Sequence, residues 1–214
     1  EKPLSFLRSH LKCGNSLVGS EIESIFGKQT TLFESQGAKN AFKKNIKNFL
    51  MFESLEDNTV SAVKVKLEEY AKMQTKGTIY KNLQFRLNCK TAESFGIELP
   101  ILYENREIGE NSLDGYTDQE QEKIISLAKL QRFFHWELEF PQIFYDDRAE
   151  KKSNPGFDVV IGNPPWLMAG YHSNEKVLES LTKTYSSARG KFDLYYCFIE
   201  SSFNLLSNKG NFGM

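Results

Sequence analysis

The sequence predicts an α/β fold in which strand, loop, helix and strand follow one another near the carboxyl terminus, behind a long stretch of helical character. Three observations predict it. Phe157-Asp158-Val159-Val160-Ile161-Gly162 is a short β-branched run bounded by turn residues, the pattern of a buried parallel strand. A helix fits Phe192 to Ser207, with Asp193 as N-cap and Gly210 placed to end it, before a strand beginning at Asn211. From Ser16 to about Ser153 the apolar residues recur mainly at helical spacing.

In chain order, His10-Leu11-Lys12-Cys13 is a strand candidate closed by the Gly14-Asn15-Ser16 turn signal. Ala41, Phe42, Ile46, Phe49 and Leu50 then mark one face of a helix, with Lys39, Lys43, Lys44 and Lys47 on the other. That lysine face reads as solvated, with phosphate contact as the alternative. Val63, Leu67, Tyr70 and Ala71 mark a second helix. A third opens at Thr117, whose spacing to Glu120 is that of a capping box, and runs through Ile124, Ile125, Leu127, Leu130 and Phe134. Glu107 to Gly115 has no apolar period and reads as a surface loop. The expected division is a core segment over 1–18, a helical insertion over 19–153 and a second core segment over 154–214.

Composition narrows the function classes. The chain has 214 residues, 40% hydrophobic and 26% charged, with no apolar run long enough to cross a bilayer, which argues against a membrane role. Cys13, Cys89 and Cys197 are odd in number and lack paired metal-ligand spacing. They read as reduced thiols of a cytoplasmic protein, with no metal site. His10, His135 and His172 are scattered and read as surface or partly packed residues. Twenty-seven basic against 28 acidic residues leave a net charge of -1, without the positive excess of a self-sufficient duplex binder. The opening Glu1-Lys2-Pro3 carries neither an initiator Met nor an export signal, so an internal piece of a longer chain is expected.

The chemistry concentrates after the 157–161 strand, because ligands of parallel α/β units gather at the carboxyl ends of strands. That end delivers Asn163-Pro164-Pro165-Trp166. Each proline has a fixed φ and keeps the preceding residue extended, so the loop is rigid before a ligand arrives. The Asn163 side-chain oxygen and the Pro164 carbonyl are then two converging acceptors, suited to an exocyclic amino group. Accepting both of its hydrogens counters delocalisation of the nitrogen lone pair into the ring. These bonds strengthen as the nitrogen becomes tetrahedral and partly positive, which lowers the barrier to its attack on a methyl group. Trp166 offers a face for stacking on a base and is expected to be exposed, while Gly162 leaves room for a flat ring. The alternative is a surface turn beside a packed Trp166; the strand context favours the functional reading.

Phe157-Asp-Val-Val-Ile-Gly-Asn-Pro-Pro-Trp166 resembles the catalytic motif of N6-adenine-specific DNA methyltransferases. Phe133-Phe134-His135-Trp136-Glu137-Leu138-Glu139-Phe140-Pro141 resembles the segment preceding that motif in the large restriction-modification and phage-defence members. The resemblance implies a partial Rossmann-like, S-adenosylmethionine-dependent methyltransferase core interrupted by the helical insertion. It implies Asn163, Pro164 and Trp166 as catalytic residues. Asn15, at the strand-end turn, Pro165 and Phe198 match the family's contacts to the cofactor adenine. The implied partner is double-stranded DNA with the adenine flipped out of the stack. The family's glycine-rich cofactor loop has no counterpart, since no Gly-x-Gly occurs. That cofactor segment and a target-recognition domain are therefore expected elsewhere in a longer protein, and the 157–161 strand is not expected to pair with 10–13. Related loops also serve methyltransferases of RNA bases or protein glutamine, and a non-catalytic interaction fragment is the third reading.

Overall fold

The computed structural model describes residues 10–25, 34–56, 58–75, 77–98, 116–168 and 174–214. The Glu107 to Gly115 stretch and His172 lie outside them. Helix α1 (Glu34–Ser54) buries Ala41, Phe42, Ile46, Phe49 and Phe52 and leaves Lys39, Lys43, Lys44 and Lys47 exposed, as its three- and four-residue spacing dictates. Helix α2 (Val60–Met73) begins where the Thr59 hydroxyl accepts from the Ala62 N–H at 3.1 Å. Its stripe departs from the expectation: Ala71 is exposed and Lys66 is buried. The Lys66 ammonium donates to the Glu53 and Leu55 carbonyls at 3.2 Å each, so it satisfies the end of α1.

Helix α3 (Ile79–Ser94) was not singled out by any stripe, and the reason is its burial on several sides. Tyr80, Leu83, Phe85, Leu87 and Cys89 are enclosed, and so are Asn82, Arg86 and Thr91. Helix α4 (Asp118–Gln131) has the expected capping box, with Glu120 N–H to Thr117 Oγ1 at 3.3 Å and Thr117 N–H to Glu120 Oε2 at 2.7 Å. It stops short of Phe134, because Arg132 adopts a left-handed φ of 55° that turns the chain. Ile124 is buried, whereas Ile125 and Leu130 face solvent.

That turn lays Phe133 and Phe134 beside residues 15–18. The Asn15 N–H donates to the Arg132 carbonyl at 2.7 Å and the Phe134 N–H to the Val18 carbonyl at 2.8 Å. The approach is so close that a Cβ on Gly19 would stand 1.8 Å from the Phe134 carbonyl oxygen. Residues 10–13 correct the expectation of a strand: they hold a turn and irregular backbone. Pairing begins at Asn15, which bridges Phe133 in parallel.

Two short helices, α5 (Trp136–Glu139) and α6 (Pro141–Phe144), then bolt three parts of the chain together. The Trp136 indole N–H donates to the Ser16 carbonyl at 3.1 Å. Glu137, 6% exposed, accepts from the Ile22 N–H at 2.7 Å and the Tyr145 hydroxyl at 3.1 Å. Glu139 holds Lys12 at 3.0 Å and also accepts from the Tyr80 hydroxyl. His135 corrects the surface reading, being only 2% exposed. Its Nδ1 accepts from the Ser20 N–H at 3.1 Å, which leaves the proton on Nε2 to donate to Asn88 Oδ1 at 2.9 Å. Burial lowers its pKa to about 3, so the ring is neutral.

Strands β1 (Phe157–Ile161) and β2 (Leu206–Gly213) pair in parallel as a two-stranded sheet. Residues 10–13 belong to no ladder. Phe157 enters the core edge-on to Trp136, Phe140 and Phe144, with ring centroids 5.8, 5.6 and 5.8 Å away. The expectation that this strand is buried on both faces fails beyond Phe157, because Val159 is 57% and Ile161 82% exposed. Among the described residues its sole ladder partner is β2, which leaves its other edge open.

Helix α7 (Glu175–Thr184), also missed in the sequence, precedes α8 (Leu194–Leu205), whose N-cap is Asp193 as expected. Gly210 does not end α8. Strand β2 begins directly at Leu206, and Gly210 lies in an irregular stretch where Phe157 pairs with Leu206 but Val159 with Asn211. A Cβ there would come within 2.7 Å of the Phe157 carbonyl oxygen. Among the described residues no helix is long and apolar enough to cross a membrane.

Candidate functional site

The parallel β1–β2 pair brings the ends of both strands to one place. The Gly162 N–H donates to the Gly213 carbonyl at 3.0 Å, extending the ladder to the first residue of the loop. From there the two prolines carry the chain out extended. The loop is tied down again at Leu167, whose N–H donates to Asp193 Oδ1 at 3.2 Å and whose carbonyl accepts from the Leu194 N–H at 3.0 Å. Asp193 Oδ1 also accepts from the Tyr195 N–H at 2.9 Å. One carboxylate thus caps α8 and fixes the far end of the loop.

This arrangement leaves the middle of the loop available. Asn163 is exposed, and among the described residues its side chain has no hydrogen-bond partner. Pro164 is buried and Pro165 exposed. Trp166 is 76% exposed, as expected, yet it is not loose: its ring stacks on Tyr195 at 5.0 Å between centroids and 13° between planes. Tyr195 is a site residue the sequence reading missed. Its signal was the Asp193 N-cap, which sets where α8 starts and hence which face of the helix meets Trp166.

A cavity of about 400 Å³ opens on the inner side of the loop. It is lined by Asn163, Pro164 and Pro165, by β1, and by Phe198, Ser201, Ser202 and Leu205 of α8. Those α8 positions are three, four and seven residues apart and form one helix face. The serines leave space between Phe198 and Leu205. The structure therefore brings Asn163, Pro164, Pro165 and Phe198 together at one cavity, with Trp166 outside its lining. Asn15 does not line it either. Its side-chain oxygen accepts from the Leu17 N–H at 3.2 Å, and the neighbouring Ser16 lines the cavity instead. Among the described residues nothing forces glycine at Gly162, where a Cβ would meet Met214 Cε at an ordinary 3.5 Å.

Outside the cavity lining, the Ser186 and Ser187 N–H groups donate to Glu200 of α8 at 2.9 and 2.8 Å. Desolvation acts against the charge, but hydrogen bonds from Ser187 and Ser186 outweigh it and hold the carboxyl at about 2. This pins Ser186 and Ser187 to α8. A larger cavity, about 650 Å³, lies among α1, α2 and α3 and includes none of the loop residues. Size does not make it the better candidate, because it lacks the strand-end acceptors.

The chain is 30% identical over 145 residues to the type II restriction enzyme and methyltransferase RM.Eco57I of Escherichia coli, an alignment covering 65% of this chain and 12% of that protein. It thus spans about an eighth of that relative's length. No solved structure gives a significant match. The Eco57I restriction-modification methylase family matches residues 61–214, more than half of the chain and the whole of the Asn163–Trp166 loop, and the chain belongs to that family.

Proposed function

We propose that this chain carries the base-holding part of an S-adenosylmethionine-dependent DNA methyltransferase acting on the adenine amino group in a restriction-modification or phage-defence system. The observation that carries the reading is the rigid loop end, where an unpartnered Asn163 stands beside Trp166 stacked on Tyr195. An extruded adenine would lie against the free face of Trp166. The Asn163 side-chain oxygen and the Pro164 carbonyl would accept its two amino hydrogens and bind more strongly as that nitrogen becomes tetrahedral. Extrusion costs a few kcal/mol, part of which stacking offsets.

The cavity suits the adenine end of the cofactor. Phe198 and Pro165 offer flat apolar walls, and the volume is within the usual range of small-molecule sites. When bound, S-adenosylmethionine supplies the electrophilic methyl group. Asn15 would act there only after turning its side chain away from the Leu17 N–H. Under this reading the strands and helices around the loop are part of a Rossmann-like core divided by the helical region, with the remaining cofactor and target contacts supplied by other parts of a longer protein. The test is methyl transfer by that longer protein to duplex DNA, RNA and protein in parallel. Labelled N6-methyladenine in DNA is expected. Transfer only to RNA or protein would replace the substrate class, and no transfer to any of them would overturn the reading.

A further inference from the structure

Among the described residues, the exposed charged side chains of helix α1 are all basic, which holds for no other helix. From Lys39 to Phe52 it contains no acidic residue, and Lys39, Lys43, Lys44 and Lys47 are all exposed. Exposed Asn40 and Asn48 lie among them. Among the described residues none of the four lysines has a carboxylate partner. Elsewhere basic side chains share their helix with acidic ones. Helix α2 pairs Lys72 with Glu69 at 2.6 Å and α3 pairs Lys90 with Glu93 at 2.7 Å. Helix α4 alternates Asp118 and Glu122 with Lys123 and Lys129, and α7 alternates Glu175 and Glu179 with Lys176 and Lys183. A protein of net charge -1 has thus gathered an unscreened positive row on one helix.

The row is also firmly held. The opposite side of α1 buries Phe42, Ile46, Phe49 and Phe52, and Lys66 caps its last turn, so the lysine stems project from a fixed cylinder. Lys39 to Lys47 spans eight residues, about 12 Å along the axis. Duplex DNA presents a phosphate about every 1.7 Å of its own axis, so a 12 Å row meets enough phosphates for all four ammonium groups. Four point charges on flexible stems, without arginine forks or exposed aromatics between them, suit a backbone and not base edges.

We infer that the α1 face Lys39, Lys43, Lys44 and Lys47 is a sequence-independent contact for the phosphate backbone of duplex DNA, giving the helical region a share in holding the substrate. The inference rests on the methyltransferase reading for its choice of DNA as the polyanion. The experiment uses the full-length protein without cofactor and measures duplex affinity by fluorescence anisotropy across a salt series. Replacing all four lysines by Gln is expected to reduce the slope of log affinity against log salt by about 3 to 4, since each phosphate contact contributes about 0.9. The pair K43Q/K47Q should reduce it by about 2, and four Lys→Arg changes should leave it intact. A control with the same charge change, K64Q/K123Q/K129Q/K176Q, should leave the slope within about 1 of the wild type. An unchanged slope in the α1 variants, an equal fall in the control, or a fall seen with RNA but not with duplex DNA would overturn the inference. Because binding is read without catalysis, a wild-type protein that transfers no methyl group to DNA would refute the proposed function while leaving this slope test standing.

Discussion

The segment Phe133–Phe140 and the loop Gly162–Trp166 are both aromatic, carry strong hydrogen-bonding groups and adjoin the same cavity, yet they use those groups in opposite ways. In the first, His135, Glu137 and Glu139 find partners within the chain, from Lys12 to Tyr145, and His135 and Glu137 are almost fully enclosed. In the second, Asn163 is exposed and without a partner, and Trp166 uses one face while the other remains open. Buried polar groups must be paired where they stand, whereas groups that bind a ligand must be left unpaired until it comes. Comparing the two shows why perturbed titration alone is a poor guide here. The strongly shifted His135 is structural, and the loop carries no shifted group at all.

The comparison breaks most sharply under substitution. In the complete protein Asn163→Ala should lower kcat about 100-fold or more with no change in Tm, since under the proposed function it removes a transition-state acceptor and no internal bond. Single-turnover methyl transfer and a thermal melt check both halves, and a fall in Tm with turnover intact would reverse the assignment. Glu137→Ala should do the opposite. It orphans the Ile22 N–H and the Tyr145 hydroxyl, at a cost of about 2 kcal/mol or more in stability. Urea unfolding is the readout, and a variant as stable as the wild type would show that these bonds contribute nothing net.

Two further effects sharpen the contrast. Trp166→Ala should weaken productive binding of the target about 10-fold, the lower part of the range for base stacking, and change stability by less than about 0.5 kcal/mol. Equal binding of a duplex with an abasic target position by both proteins would locate the loss in the base. The last effect is a pH dependence, spread over several units. His135 is buried neutral with its pKa lowered from 6.5 to about 3, so the unfolded chain binds the extra proton. Stability should therefore fall as pH drops below about 6.5, by at most about 1.4 kcal/mol per unit, until the native ring protonates near 3. Between pH 6.5 and 5, above the carboxylate range, His135→Gln should flatten that slope, and an unchanged slope would assign it to another group.

The features legible in the sequence were those settled within a few residues of themselves. Two prolines fix the loop by their own rings and by the residue before each. The Thr117 capping box closes between residues three apart, and Asp193 caps α8 through the N–H two residues on. The family motif and the strand in front of it belong to the same local grammar. What tertiary structure decided lies at separations no periodicity encodes. The Ser20 N–H meets His135, and the Ile22 N–H meets Glu137, across 115 positions. Helix α3 lost its stripe because neighbours enclose both its polar and its apolar sides. Gly210, a helix stop by local rule, became the point where β2 passes the Phe157 carbonyl. Trp166 found Tyr195 only once Asp193 had fixed the start of α8 and the end of the loop together. Local sterics and short-range hydrogen bonds act on the chain before it folds, whereas burial and close approach depend on which distant surface arrives.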